Sequence, residues 1–269
     1  MSTTAISSQS PIFLYATSGE FSRAESPFLG VEIAPTPIST QADVTTAVAV
    51  ARSAQTTWSQ TSLNHRIAIL DRYHDLILEH QDELASIIQR ETGKARSHAV
   101  EEILQVAMVS AYYAKNAKKF LSPDHRSGVL PVLTQVKVIP APRGVVGIIS
   151  PWNYPFTLSM CDILPAVLAG NTVVLRPDEQ TMWSAIRGLE LLFEAGMTAD
   201  VVTMVSGPGP VIGTALIDKV DHVCFTGSTA TGRIVGAQAG ARLIGVSLEL
   251  GGKNPMIVCA DANLEKFLD

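Results

Sequence analysis

Five segments of the sequence place reactive side chains beside turn residues that would hold them still. In Ile148-Ile149-Ser150-Pro151-Trp152-Asn153-Tyr154-Pro155 an apolar run ends in a rigid turn with an amide at its tip. The Asn153 NH₂ could donate to a developing oxyanion, or it could bond its own turn backbone. In Val174-Leu175-Arg176-Pro177-Asp178-Glu179-Gln180-Thr181 a cation and a carboxylate sit three residues apart. A carboxylate at such a place can chelate ribose hydroxyls; the alternative is a solvated loop with Thr181 as a helix N-cap.

The glycines of Ser206-Gly207-Pro208-Gly209-Pro210-Val211-Ile212-Gly213 look like a dinucleotide fingerprint. Pro208 and Pro210 remove amides that would face phosphate, which favours a tight turn and close helix-to-strand packing. In Phe225-Thr226-Gly227-Ser228-Thr229-Ala230-Thr231-Gly232, Gly227 permits close backbone approach. There the Ser228 hydroxyl and the following helix amides would hold a pyrophosphate, and plain helix capping by Ser228 or Thr229 accounts for the same residues. Finally, Glu249 ends an apolar run just before Gly251-Gly252. Partial desolvation would raise its pKa and suit it to general-base work on water; a salt bridge to Lys253 or Arg242 is the other reading.

These segments must be positioned by regular elements, and the apolar pattern supplies them. Ile67, Leu70, Tyr73, Ile77, Leu84 and Ile88 follow near-helical spacing from Leu63, with room for a break, and Gly93 stands as C-cap. A second helix runs from near Ser97 towards Phe120 and pairs with the first. Val132, Thr134, Val136 and Val138 alternate between Pro131 and Pro140, as in an extended arm. Strands over 145–149, 172–175, 201–205, 222–225 and 243–248 then alternate with helices over 158–168, 182–194, 211–217 and 231–239. That rhythm predicts an α/β fold, a doubly wound parallel sheet with ligands at the C-terminal strand ends. Pro165 is expected to kink its helix or to shift where it starts.

Composition narrows the function classes. With 46% hydrophobic and 17% charged residues the chain can bury a large core, and a net charge of -5 argues against a nucleic-acid partner. Cys161, Cys224 and Cys259 fit neither a disulfide framework nor a metal-ligand spacing, so a reducing compartment is expected. No apolar run reaches membrane-spanning length. The first 30 residues lack the order of a secretory signal and read as a flexible N-terminus of a cytoplasmic protein.

Taken together and in this order, Pro151-Trp152-Asn153, Leu175-Arg176-Pro177 with Glu179-Gln180-Thr181, Phe225-Thr226-Gly227-Ser228 with Gly232, and Glu249-Leu250-Gly251-Gly252-Lys253 resemble the aldehyde dehydrogenase superfamily. Glu91-Thr92-Gly93-Lys94 and Gly252-Lys253-Asn254-Pro255 are most similar to its succinate-semialdehyde dehydrogenase-like members. The resemblance implies oxidation of an aldehyde to the acid with NAD or NADP. Asn153 would supply the side-chain half of the oxyanion hole and Glu249 would activate the water. Ile149, Pro151, Trp152, Arg176, Glu179, Gly209, Gly213, Phe225, Gly227, Ser228, Gly232 and Leu250 would line the cofactor. Arg176 stands where most members carry lysine and would favour an added 2′-phosphate, while Glu179 opposes one, so NAD is preferred.

The resemblance also implies a nucleophilic cysteine beyond the Glu249 segment, and the sequence stops at Asp269. Each cysteine present reads as a small core hydrophobe. The expected organisation is an N-terminal extension (1–37), a helical part of the cofactor domain (38–125), a β-arm for homo-oligomer contacts (126–142), the dinucleotide-binding core (143–252) and the start of a truncated catalytic domain (253–269). On this reading the 269 residues do not turn over by themselves. The alternative is a non-catalytic dinucleotide-binding or partner-binding module.

Overall fold

The computed structural model describes residues 13–130, 133–263 and 265. Val132 and Pro131, which open the expected arm, lie outside them, as do residues 1–12 of the expected extension. Two short strands, β2 (Phe21–Ser22) and β3 (Thr36–Pro37), pair antiparallel after β1 (Leu14–Tyr15). Four helices follow: α1 (Gln41–Trp58), α2 (Leu63–Glu79), α3 (Gln81–Thr92) and α4 (Arg96–Phe120). An antiparallel hairpin of β4 (Asp124–Ser127) and β5 (Gln135–Val138) leads into the core.

That core runs β6 (Val145–Ile149), α5 (Pro155–Leu168), β7 (Thr172–Arg176), α6 (Met182–Glu194), β8 (Val202–Val205), α7 (Thr214–Ile217), β9 (His222–Gly227), α8 (Thr229–Ala241) and β10 (Gly245–Leu250). Six strands form one parallel sheet in the order β1-β8-β7-β6-β9-β10. The chain steps outward from β6 to β7 and β8, then returns to the other side of β6. This is the doubly wound sheet, and its reversal lies between β6 and β9.

β6 and β7 are buried along their whole length because both sheet faces are covered. Side chains alternate between two cores. Val146, Ile148, Val173, Leu175, Val202 and Met204 face the cluster built with α2 to α6. Val145, Ile149, Val174, Val205, Val223 and Phe225 face the one built with α1, α7 and α8.

Several expectations need correction. The chain from Phe13 onward is not a loose tail: Phe13 is 3% exposed, packs its ring tilted against Phe193 with centroids 4.9 Å apart, and leads into β1, which pairs Leu14 with Met204 and Tyr15 with Val205. Without β1 the inner strand β8 would expose a row of unpaired backbone groups. Helix α1 has no counterpart in the sequence reading. Its buried apolar face is Val44, Ala47, Val48, Ala51, Ala54 and Trp58, half of it alanine, and it starts in a capping box of Thr40 and Asp43.

The long first helix is two, broken at His80, and α3 ends at Gly93 in the left-handed conformation (φ 74°). α2 packs on α4, where the Ser110 hydroxyl donates to the carbonyl of Leu70 at 2.8 Å. Helix α5 begins at Pro155 and runs through Pro165 to Leu168. The last strand begins at Gly245 rather than Leu243, because Leu243 turns the chain at φ 57°.

Candidate functional site

Strand register brings the motif turns side by side. Ile149 pairs with Arg176 on one flank and with Phe225 on the other, Leu248 pairs with Phe225, and Leu250 with Gly227. The turns that follow β6, β7, β9 and β10 therefore open at one end of the sheet, around the reversal between β6 and β9.

Asn153 lies exposed in the turn between β6 and α5, between Trp152 (54% exposed) and Tyr154 (48%). Its side chain makes no hydrogen bond among the described residues. It does not brace its own turn, and its amide is free to serve a ligand. Lys94 performs the bracing: its Nζ donates to the Asn153 carbonyl at 2.8 Å, pairs with Glu102 at 2.5 Å and stands 4.0 Å above the Tyr154 ring.

Arg176 is buried, and its guanidinium is committed to the protein. Nε and Nη2 donate to the Gly207 carbonyl at 3.0 and 2.7 Å, and Nη2 is 3.6 Å from Glu179 Oε1. Gly209 passes close to the same guanidinium. Arg176 thus ties the turn after β8 to the end of β7 and partly offsets the Glu179 charge. Gly207 takes φ 119° and admits Ile212 and Ile38 against its α-carbon, so this glycine segment is a packing turn, as expected. It opens α7 through a π-type turn over Gly209–Gly213, and Gly213 lies against Ile149.

At the start of α8 Ser228 is the N-cap, its Oγ accepting from the Thr231 amide at 3.1 Å. The first-turn amides still point out of the helix end, which suits an anion. Gly232 is buried beneath Leu250, and a methyl group on it would overlap that side chain. Its role in the folded chain is close helix-to-strand packing. Ile149 and Phe225 also direct their side chains into the core. Pro151, Trp152 and Glu179 keep accessible surface.

Glu249 is exposed on β10, contrary to the expected partial desolvation, because β10 is the sheet edge and Glu249 alternates to the face opposite Leu248 and Leu250, which α8 covers. Neither expected salt bridge forms: Arg242 donates to the carbonyls of Ile217 and Val220. Cys259 is likewise exposed rather than a core residue, in a stretch where Met256 and Ile257 are 75% and 85% exposed. Cys161 and Cys224 do pack against the core, and burial pushes both thiols up to about 12.

Four functional candidates had no role in the sequence reading, which quoted Glu91 and Lys94 only for their likeness to one subgroup. Glu102 on α4 accepts from the amides of Phe156 and Thr157, both at 3.2 Å, and Glu91 on α3 does the same for Trp183 and Ser184. Neither α5 nor α6 has a side-chain N-cap of its own, so these carboxylates replace one. Lys94 is the third. The fourth is Asp162 on α5, whose carboxyl burial and the charge of Glu249 push up to about 6. An aspartate within the apolar run of α5 was the one available signal.

Among the described residues no group of histidine, cysteine and carboxylate side chains could hold a metal, and no helix is long and apolar enough to cross a membrane. Against known proteins, the profile described as "Aldehyde dehydrogenase family" matches residues 14–269. A protein of Mycolicibacterium smegmatis, provisionally named an NADP⁺ succinate-semialdehyde dehydrogenase, is 48% identical over 241 residues, covering 90% of this chain and 47% of its own. The mitochondrial succinate-semialdehyde dehydrogenase of Arabidopsis thaliana is 38% identical, covering 81% of this chain and 42% of its own. The crystal structure of an NADP-dependent enzyme of E. coli superposes with a TM-score of 0.88 at 34% identity, over 93% of this chain and 52% of that one. The chain spans about half the length of the relatives it matches.

Proposed function

Because the chain belongs to the aldehyde dehydrogenase family, we propose that it supplies the dinucleotide site, the oxyanion amide and the water-activating carboxylate of an enzyme that oxidises succinate semialdehyde to the acid. The observation that carries this reading is the register around Ile149, which sets the Asn153 turn, the Arg176 turn and the Phe225-Gly227 turn next to one another at the sheet reversal. Ligands of doubly wound sheets bind at that place.

In the proposed reaction a thiolate adds to the aldehyde carbon and the carbonyl oxygen becomes an alkoxide. The free Asn153 NH₂ donates to that oxygen. A nicotinamide bound at the sheet reversal would supply the hydride acceptor for oxidation to an acyl thioester on the sulfur. Glu249 accepts a proton from the water that attacks the thioester; the acid leaves and the thiol is restored. Cys161 and Cys224 are partly buried and held as neutral thiols, which argues against either as that nucleophile.

NADP replaces NAD as the preferred cofactor in this proposal. The preference for NAD rested on repulsion between Glu179 and a 2′-phosphate, and the 3.6 Å contact with Arg176 offsets that charge. The name of the mycobacterial relative points the same way. The exposed hairpin of β4 and β5 is the proposed contact with a second copy, since Val136, Val138 and the adjacent Ile139 are 42% to 66% exposed.

Calorimetric titration of the chain with NADP and NAD tests the reading. Binding is expected for both, tighter for NADP. A natively folded chain that gives no heat with either at millimolar concentration would overturn it.

A further inference from the structure

Lys94 and Glu102 stand outside every motif turn, yet they meet the one that carries Asn153. Lys94 follows the Gly93 cap of α3, and Glu102 lies in the second turn of α4. Their side chains are 14% and 1% exposed. An ion pair so buried is costly unless its remaining donors and acceptors are used, and here they are. One Glu102 oxygen takes Lys94 Nζ, and the other takes the Phe156 and Thr157 amides that open α5. The Thr157 hydroxyl adds a bond to the Glu102 carbonyl at 3.2 Å. Lys94 spends its second proton on the Asn153 carbonyl and faces the Tyr154 ring.

The turn is thereby gripped from both ends. Lys94 holds its tip at Asn153 and Tyr154, and Glu102 holds the helix start immediately after it. The Asn153 side chain itself has no internal partner to orient it, so its direction is set by the backbone that Lys94 fixes. We infer that Lys94, seated on Glu102, is a positioning residue for the Asn153 amide. This inference rests on the oxyanion role proposed for Asn153.

Misplacing a catalytic group by about 1 Å can cost on the order of 100-fold in rate, so a lysine that fixes a turn is as exacting a requirement as the amide on it.

The test reads Asn153 directly in the 269-residue chain. Its side-chain NH₂ resonances are assigned by their loss in Asn153→Asp, with the Asn171 pair, which is tied to the Ala166 carbonyl, as internal control. In Lys94→Met the Asn153 pair is expected to shift while the Asn171 pair stays; in Lys94→Arg, which keeps charge and donors, it returns towards its original position. An unmoved Asn153 pair in a folded Lys94→Met chain would overturn the inference. Glu102→Gln leaves buried amides poorly served and is a weaker test, because it can fail to fold. In the whole dehydrogenase Lys94→Met should lower kcat about 10- to 100-fold, with a smaller change in the nucleotide KM. If Asn153→Ala abolishes turnover and Lys94→Met leaves kcat intact, the inference fails and the oxyanion reading stands. If Asn153→Ala is itself harmless, the oxyanion reading fails.

Discussion

Glu91 receives both the amide and the hydroxyl of Ser184 on one carboxyl oxygen, at 2.9 and 2.5 Å, while its other oxygen takes the Trp183 amide at 2.6 Å. A residue of α3 thus caps α6. It is fully enclosed, and burial pushes its carboxyl up to about 7, the hydrogen bonds from Ser184 and Trp183 opposing.

That relationship makes stability depend on pH. The folded carboxyl holds its proton more tightly than the unfolded one, so its stabilising contribution is complete below about pH 4.5 and is lost as pH rises through about 7. Glu91→Gln removes the dependence. Urea unfolding of both proteins from pH 5 to 8 should show the wild type losing stability relative to the variant, by about 3 kcal/mol at most. A constant difference across that range would contradict it.

Gly144 should not tolerate a side chain. It takes φ 123°, and an added methyl would overlap Asp221 Oδ2. That oxygen cannot withdraw, because it accepts from the Val145 amide and from Arg52 Nη1, both at 2.8 Å. Gly144→Ala is expected to cost about 2–4 kcal/mol, visible as a melting point lower by roughly 5–10 °C.

The three thiols should differ sharply in reactivity. Cys259 is exposed, whereas Cys161 and Cys224 are partly buried with thiols pushed up to about 12. Only the thiolate reacts. Ellman's reagent at pH 8 should modify one thiol rapidly and the other two only on unfolding; two rapid equivalents would refute this.

Arg176→Met removes both bonds to the Gly207 carbonyl and leaves Glu179 uncompensated. Affinity for NADP should fall at least about 10-fold and more than affinity for NAD, equivalent to about 1.4 kcal/mol. Titration of both nucleotides checks the difference, with a melting curve to show that the variant is folded. Equal losses for the two would remove Arg176 from cofactor choice.

What the sequence by itself determined is local. The alternation of strands and helices from Val145 onward was legible, down to the bounds of α6, because apolar periodicity acts within a few residues. The motif turns were legible for the same reason. Helix α1 was not, since half of its buried apolar stripe is alanine, which carries little apolar contrast.

Only the tertiary structure decided which distant groups serve those turns. Lys94 reaches Asn153 across 59 residues, Glu91 reaches Trp183 across 92, and Arg176 finds Gly207 across 31. Likewise β1 joins β8 from the far end of the chain. A buried charge must find partners or pay for its desolvation, and which partners it finds is settled when packed elements meet. No spacing along the chain records that choice.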